Sequence, residues 1–222
     1  MKKARFDAVI FDWDGTLADT RSVIVSSFQK ILKELGCSVS NEPIERRIGI
    51  GARNTFKEIL SLCGMPSNEE LVKDLVDRKI EAELALSDSV RLFDGAEEVL
   101  TGVQGSKKSA LATMNDRRII DRMLTEKNLN EFFNVVVTAD DVKRAKPDPE
   151  IFLACAAKLG CEPRRCVVLE DSLFGLKAAK AAEMGCVAVA TGVYTRKELE
   201  AEKPDLTVTS LTEKTVLRFL LS

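Results

Sequence analysis

Two carboxylates at alternate positions close the first apolar run of the chain, and they are the residues most suited to chemistry. Ala8 to Phe11 leads directly into Asp12-Trp13-Asp14-Gly15-Thr16. Acids spaced in this way let one side chain approach a substrate while the other does a different job, so Asp12 can act as a nucleophile and Asp14 as a proton donor and acceptor. A second acid pair, Glu170-Asp171, follows the apolar run Cys166 to Leu169. Like charges about 4 Å apart repel by roughly 4 kcal/mol at an effective dielectric near 20, so clustering these acids requires a cation beside them. Lys146 with a divalent metal would supply it. The chain contains no histidine. That removes Ser-His-Asp and Cys-His catalysis and His-ligated zinc, leaving carboxylates, lysine and hydroxyls for any reaction. Any metal is then hard and oxygen-bound, with Mg2+ the best match.

These residues need elements to hold them. Ala8 to Phe11 reads as a buried parallel strand. From Asp19 to Leu35, apolar residues at Ile24, Phe28, Ile31, Leu32 and Leu35, with Gly36 behind them, predict an amphipathic helix. Ser67 with Glu70 forms a capping-box pattern ahead of Leu71, Val72, Leu75, Val76 and Ile80, predicting a second helix. No strand-like run lies between Leu17 and Asp88, so that stretch reads as all helix. Beyond Phe93-Asp94-Gly95, strands are expected at Ser109–Thr113, Asn134–Thr138, Cys166–Glu170, Cys186–Ala190 and Leu206–Val208, separated by helices. One helix is marked by Asp148 as cap, Pro149 at its first position, the run Ile151–Leu159, and Gly160 as its stop. The alternation predicts an α/β fold, a doubly wound parallel sheet built from residues 1–16 and 89–222, with a helical insert at 17–88. No internal repeat is present. Ligands of open parallel sheets bind beyond the carboxyl ends of the strands. Asp12, Asp14, Thr113, Lys146, Glu170 and Asp171 are therefore expected to open onto one cleft.

Composition narrows the function. The 222 residues are 45% apolar and 31% charged with a net charge of −2, which suits a globular chain and provides no positive field for nucleic acid or anionic lipid. The longest apolar run, Ile151 to Ala157, is seven residues, far short of the roughly 20 that cross a bilayer. Met1 to Phe6 is basic, but the apolar run after it stops at Asp12, before a signal-peptide core has formed. A cytoplasmic protein acting on a small charged metabolite is expected, with monomer and homodimer equally open. The six cysteines are scattered without a C-x-x-C pair and read as reduced core residues.

Four motifs in order resemble the haloacid dehalogenase-like phosphohydrolases. Asp12-Trp13-Asp14-Gly15-Thr16 is similar to their D-x-D-G-T signature, Thr113 to the motif-two hydroxyl, Lys146 within Lys146-Pro147-Asp148-Pro149 to motif three, and Glu170-Asp171-Ser172 to the acidic motif four. The resemblance implies a Rossmann-like core in which Asp12 attacks a phosphate monoester to give an aspartyl-phosphate. Asp14 would protonate the leaving oxygen and then activate water, while Thr113 and Lys146 hold the phosphoryl group. It implies magnesium bound by the Asp12 side chain, the Asp14 backbone carbonyl and Asp171, with Glu170 nearby through water. Met114 and Asn115 would offer backbone to the substrate. The insert resembles the helical cap of the phosphoglycolate phosphatase-like and beta-phosphoglucomutase-like branch, and Ile48-Gly49-Ile50-Gly51-Ala52 resembles its Gly-rich cap segment. Arg53 and Arg47 would then face the leaving group. The implied activity is a magnesium-dependent phosphatase acting on phosphoglycolate or a sugar phosphate.

Other readings compete. A receiver domain also carries phosphoryl on an aspartate, but it is far shorter and its acceptor lies on a middle strand. A sugar-phosphate mutase of the family places histidine where this chain has Ile24. A dehalogenase lacks the second acid that Asp14 supplies. A phosphonatase needs a cap lysine, for which Lys57 and Lys73 are the candidates. Taken singly, Asp12 reads as a cap, Thr113 as a strand or cap residue, Lys146 as an exposed lysine, and Glu170 as a helix N-terminal charge. Trp13 reads as a packing residue and Asp140-Asp141 as a solvated loop.

Overall fold

A computed structural model describes residues 5–222, so the first four residues of the basic start lie outside the described residues. Six parallel strands form one sheet in the order β5-β4-β1-β6-β7-β8: β1 Ala8–Phe11, β4 Lys108–Ala112, β5 Val135–Val137, β6 Cys166–Glu170, β7 Gly185–Val189 and β8 Leu206–Val208. β1 is central, and its last residue, Phe11, is in register with Leu111 of β4 and Leu169 of β6. That register brings Asp12 level with Ala112 and with Glu170, the last residue of β6, so Thr113 and Asp171 follow one residue further on at the carboxyl ends of their strands. The central strands are apolar on both faces because helices cover both. Val9 and Phe11 point into one core with α5 (Ala96–Val103), α6 (Arg117–Glu126) and α10 (Lys214–Leu220). Ala8 and Ile10 point into the other with α7 (Glu150–Leu159), α8 (Leu173–Ala181) and α9 (Arg196–Ala201).

Between β1 and α5 the chain forms α1 (Arg21–Glu34), α2 (Asn41–Glu45), α3 (Ala52–Leu62) and α4 (Glu69–Leu84). They share an apolar cluster that includes Ile24, Phe28, Leu32, Phe56, Leu60 and Leu75. The stretch from Leu17 is not all helix. Ala18–Asp19 is a short strand, β2, paired antiparallel with β3 at Arg91–Leu92, and a two-residue strand with a distant partner leaves no periodic trace. The capping residue of α4 is Asn68, whose side chain accepts from the Leu71 amide at 2.8 Å, rather than Ser67. Pro149 caps α7 from just outside the helix, while Asp148 accepts from the Glu150 amide at 3.0 Å. Gly160 ends α7 at φ 63°.

Two of the cysteines are not reduced. Cys37 and Cys63 form a disulfide across 26 residues, with Cα atoms 5.9 Å apart. Cys37 follows the turn that ends α1, and Cys63 caps the end of α3. Packing of both helices on one apolar cluster brings the two ends together, which residue counting cannot reveal. Cys155, Cys161, Cys166 and Cys186 are free thiols. Among the described residues, no helix is long and apolar enough to cross a membrane.

Candidate active site

The turn after β1 is held by its own backbone. The Asp12 amide donates to Leu169 at 3.0 Å, and the Trp13 carbonyl accepts from the amides of Thr16, Leu17 and Ala18. Gly15 sits at φ 85°, and a Cβ there would lie 2.3 Å from Asp171 Oδ2. Glycine thus serves both the turn and the close approach of a carboxylate from β6. The Thr16 hydroxyl lies 3.2 Å from both Asp12 Oδ2 and Asp171 Oδ1. Trp13 is buried in the core, as its packing reading requires.

Lys146, in the loop between β5 and α7, inserts its ammonium between two acids. Its Nζ donates to Asp12 Oδ1 and Glu170 Oε1, each at 2.6 Å, and its side chain is wholly buried. Glu170 also accepts from the Ser172 amide and hydroxyl, both at 2.9 Å. Space for these carboxylates comes from glycines. A Cβ at Gly175 would fall 1.8 Å from Glu170 Cδ, and one at Gly192 would fall 1.7 Å from Asp171 Oδ2.

Asp12, Glu170 and Asp171 each present an oxygen within 4.8 Å of the others, and all three are buried. One ammonium stands against three carboxylates. Burial, followed by the Glu170 charge, pushes the Asp12 carboxyl up to about 8 from an ordinary 3.8. Asp171 is raised well above its ordinary value by burial and by the charges of Glu170 and Asp12. Burial opposes the charge on Lys146, yet Asp12 and Glu170 outweigh it and hold the ammonium more firmly than in water. A buried, all-oxygen set with negative charge left over fits a hard divalent cation.

The Asp14 side chain faces away from this cluster. It accepts from the Thr113 hydroxyl at 3.1 Å and lies 3.5 Å from the Asn115 amide nitrogen. Burial and then the Glu83 carboxylate raise its pKa. Asn115 Nδ2 donates to Glu83 Oε1 at 2.8 Å, and Glu83 is ion-paired with Lys79 inside α4. Lys79 and Glu83 escape the sequence reading because a Lys–Glu pair four residues apart is the usual mark of a solvated helix face. Their positions carry the contrary signal. Residues 72, 75, 76, 79, 80 and 83 form one helical stripe, and its other members are apolar.

A cavity between the insert and the core is lined by Asp14, Ile24, Arg47, Lys79, Met114 and Asn115, among others. Arg47 reaches it while paired with Glu58 at 2.6 Å. Arg53 pairs with Glu69 and lines a neighbouring cavity of about 260 Å³ that Met114 and Asn115 also border. Lys57 and Lys73 pair with Glu69 and Asp77 away from both cavities. Gly49 and Gly51 pack close to Ser172 and Met114, which brings the glycine-rich segment against the loops after β6 and β4. Asp140 accepts from the Arg117 amide, and Asp141 pairs with Arg117 and Lys158.

A doubly wound sheet with acids from two strand ends, a buried lysine and a helical insert over them defines an α/β enzyme with its site at a strand-end crevice. The chain belongs to the haloacid dehalogenase-like hydrolase family, whose model matches residues 9–189. It is 30% identical over 190 residues to the fructose-1-phosphate phosphatase YqaB of Escherichia coli K12, covering 83% of this chain and 97% of that protein. It is 31% identical over 211 residues to hexitol phosphatase B of the same organism, covering 94% of each. The crystal structure of beta-phosphoglucomutase from Clostridium difficile superposes with a TM-score of 0.86 at 25% identity, covering 96% of each chain.

Proposed function

We propose that this protein is a magnesium-dependent phosphatase that hydrolyses a small phosphorylated carbohydrate through an aspartyl-phosphate on Asp12. The carrying observation is that the two acids of one turn have different surroundings. Asp12 meets Lys146 and the β6 carboxylates, whereas Asp14 faces Thr113, Asn115 and the cavity beneath the insert. Environments that separate two carboxyl groups in this way assign them different roles.

Asp12, Asp171 and the Asp14 backbone carbonyl would hold the metal, with Glu170 beside it. When bound, magnesium supplies positive charge for the phosphoryl oxygens. The chain's own residues do the rest. Lys146 and Thr113 hold the phosphoryl group, and Met114 and Asn115 present backbone beside it. An Asp12 oxygen forms a bond to phosphorus as the ester oxygen leaves, taking the proton from Asp14, whose raised pKa keeps that proton available. Asp14 then takes a proton from water. The water oxygen bonds to phosphorus, the Asp12–phosphorus bond breaks, and inorganic phosphate departs. Residues 17–88 act as a cap that limits water at the site during these steps.

Ile24 favours hydrolysis over a mutase reaction, because it lines the cavity beside Asp14 and cannot carry a proton. The names of the relatives, a fructose-1-phosphate phosphatase and a hexitol phosphatase, support a carbohydrate leaving group. Turnover of an aryl phosphate tests the reading. Release of phosphate with magnesium, abolished by a chelator and by Asp12→Asn, is expected. No release, or release indifferent to Asp12→Asn, would refute it.

A further inference from the structure

Lys79 and Glu83 are charged, buried and aligned with the apolar stripe of α4, yet the reaction steps use neither. Lys79 is 3% exposed and borders both cavities, while Glu83 has no exposure. The ammonium lies 5.6 Å from the centre of the Phe28 ring, against the apolar wall that Ile24 and Ile44 continue. Behind it, Glu83 pairs with Lys79 and receives the Asn115 amide at 2.8 Å. Asn115 in turn reaches toward Asp14, so the pair is tied to the acid that protonates the leaving group.

Such a pair is costly to bury and does not add stability over an apolar one. Its effect on a ligand is distinctive. Lys79 presents N–H donors to the cavity, but Glu83 has already cancelled its charge. The other cation on that wall, Arg47, is likewise balanced by Glu58. A leaving group bearing hydroxyls gains hydrogen bonds there. One bearing its own carboxylate or second phosphate meets on that wall only cations already paired, and it comes close to Asp14.

We infer that the Lys79–Glu83 pair is the specificity-determining element of the cap and selects neutral, hydroxylated leaving groups against anionic ones. Lys79 makes the contact, and Glu83 is a positioning residue that sets its charge. This inference rests on the phosphatase reading above and adds the selection rule to it.

The test compares kcat/KM for fructose 1-phosphate and 2-phosphoglycolate in the wild-type enzyme and in Glu83→Gln and Lys79→Gln, with an aryl phosphate as reference. The wild type should favour fructose 1-phosphate. Glu83→Gln frees the lysine charge and should move the ratio toward phosphoglycolate by roughly tenfold, whereas Lys79→Gln leaves Glu83 unbalanced and should move it the other way. A purely structural role would depress both substrates together. Ratios that move in the same direction in both variants, or in neither, overturn the inference while leaving the phosphatase reading intact. If Glu83→Gln does not fold, a Lys79→Gln ratio that fails to rise overturns it alone. A wild type inactive on the aryl phosphate overturns both.

Discussion

The Lys146 ammonium stands 2.6 Å from Asp12 Oδ1 across 134 residues of chain, and solvent reaches neither side chain appreciably. Replacing one member of such a pair leaves the other buried and unbalanced, which costs about 3 to 5 kcal/mol. Lys146→Met should therefore lower the urea midpoint measured in chelator, with magnesium restoring part of it. Turnover should fall by roughly a hundredfold or more, because the same ammonium neutralises phosphoryl charge.

Proton linkage gives the metal-free protein an unusual pH profile. Asp12 titrates near 8 in the fold against an ordinary 3.8, and Asp171 is shifted the same way. Between those values the folded state holds more protons than the unfolded chain, so stability falls as pH rises. The melting temperature in chelator should decline from pH 5 to pH 8. Magnesium, which competes with those protons, should stabilise more at pH 8 than at pH 5.

Gly192 allows Asp171 its place. The Cβ of Gly192→Ala would fall 1.7 Å from Oδ2, displacing a carboxylate rather than a flexible chain end. The magnesium concentration for half-maximal turnover should rise on the order of tenfold.

The Cys37–Cys63 bridge closes a 26-residue separation between the ends of α1 and α3. Chain-entropy reasoning assigns such a loop roughly 3.5 kcal/mol. The Cys37→Ser, Cys63→Ser double variant should lose about that much in denaturant unfolding, and a reductant should lower the wild-type midpoint without affecting the variant.

Strand ends were the most legible part of the sequence. Ala8–Phe11, Cys166–Glu170 and Leu206–Val208 have the bounds expected from their apolar runs, because strands buried on both faces leave unbroken hydrophobic segments. The approach of Asp12 to Lys146, Glu170 and Asp171, and of Thr113 to Asp14, follows the same logic, since parallel topology aligns strand ends. Contacts between distant elements were not. The disulfide depends on how α1 meets α3, β2 depends on Arg91–Leu92, and the burial of Lys79–Glu83 depends on what α4 packs against. Arg53 illustrates the same limit, since its sequence position cannot reveal Glu69 as its partner.

The central claim is a covalent bond between Asp12 and phosphorus, and trapping that intermediate tests it most directly. An Asp14→Asn variant mixed with aryl phosphate and magnesium should still be phosphorylated, because the leaving group needs little protonation, and should then hydrolyse slowly. After acid quench and proteolysis, mass spectrometry should find the phosphoryl group on Asp12. A phosphoryl group on another residue, or a variant that turns over without carrying one, would contradict the account.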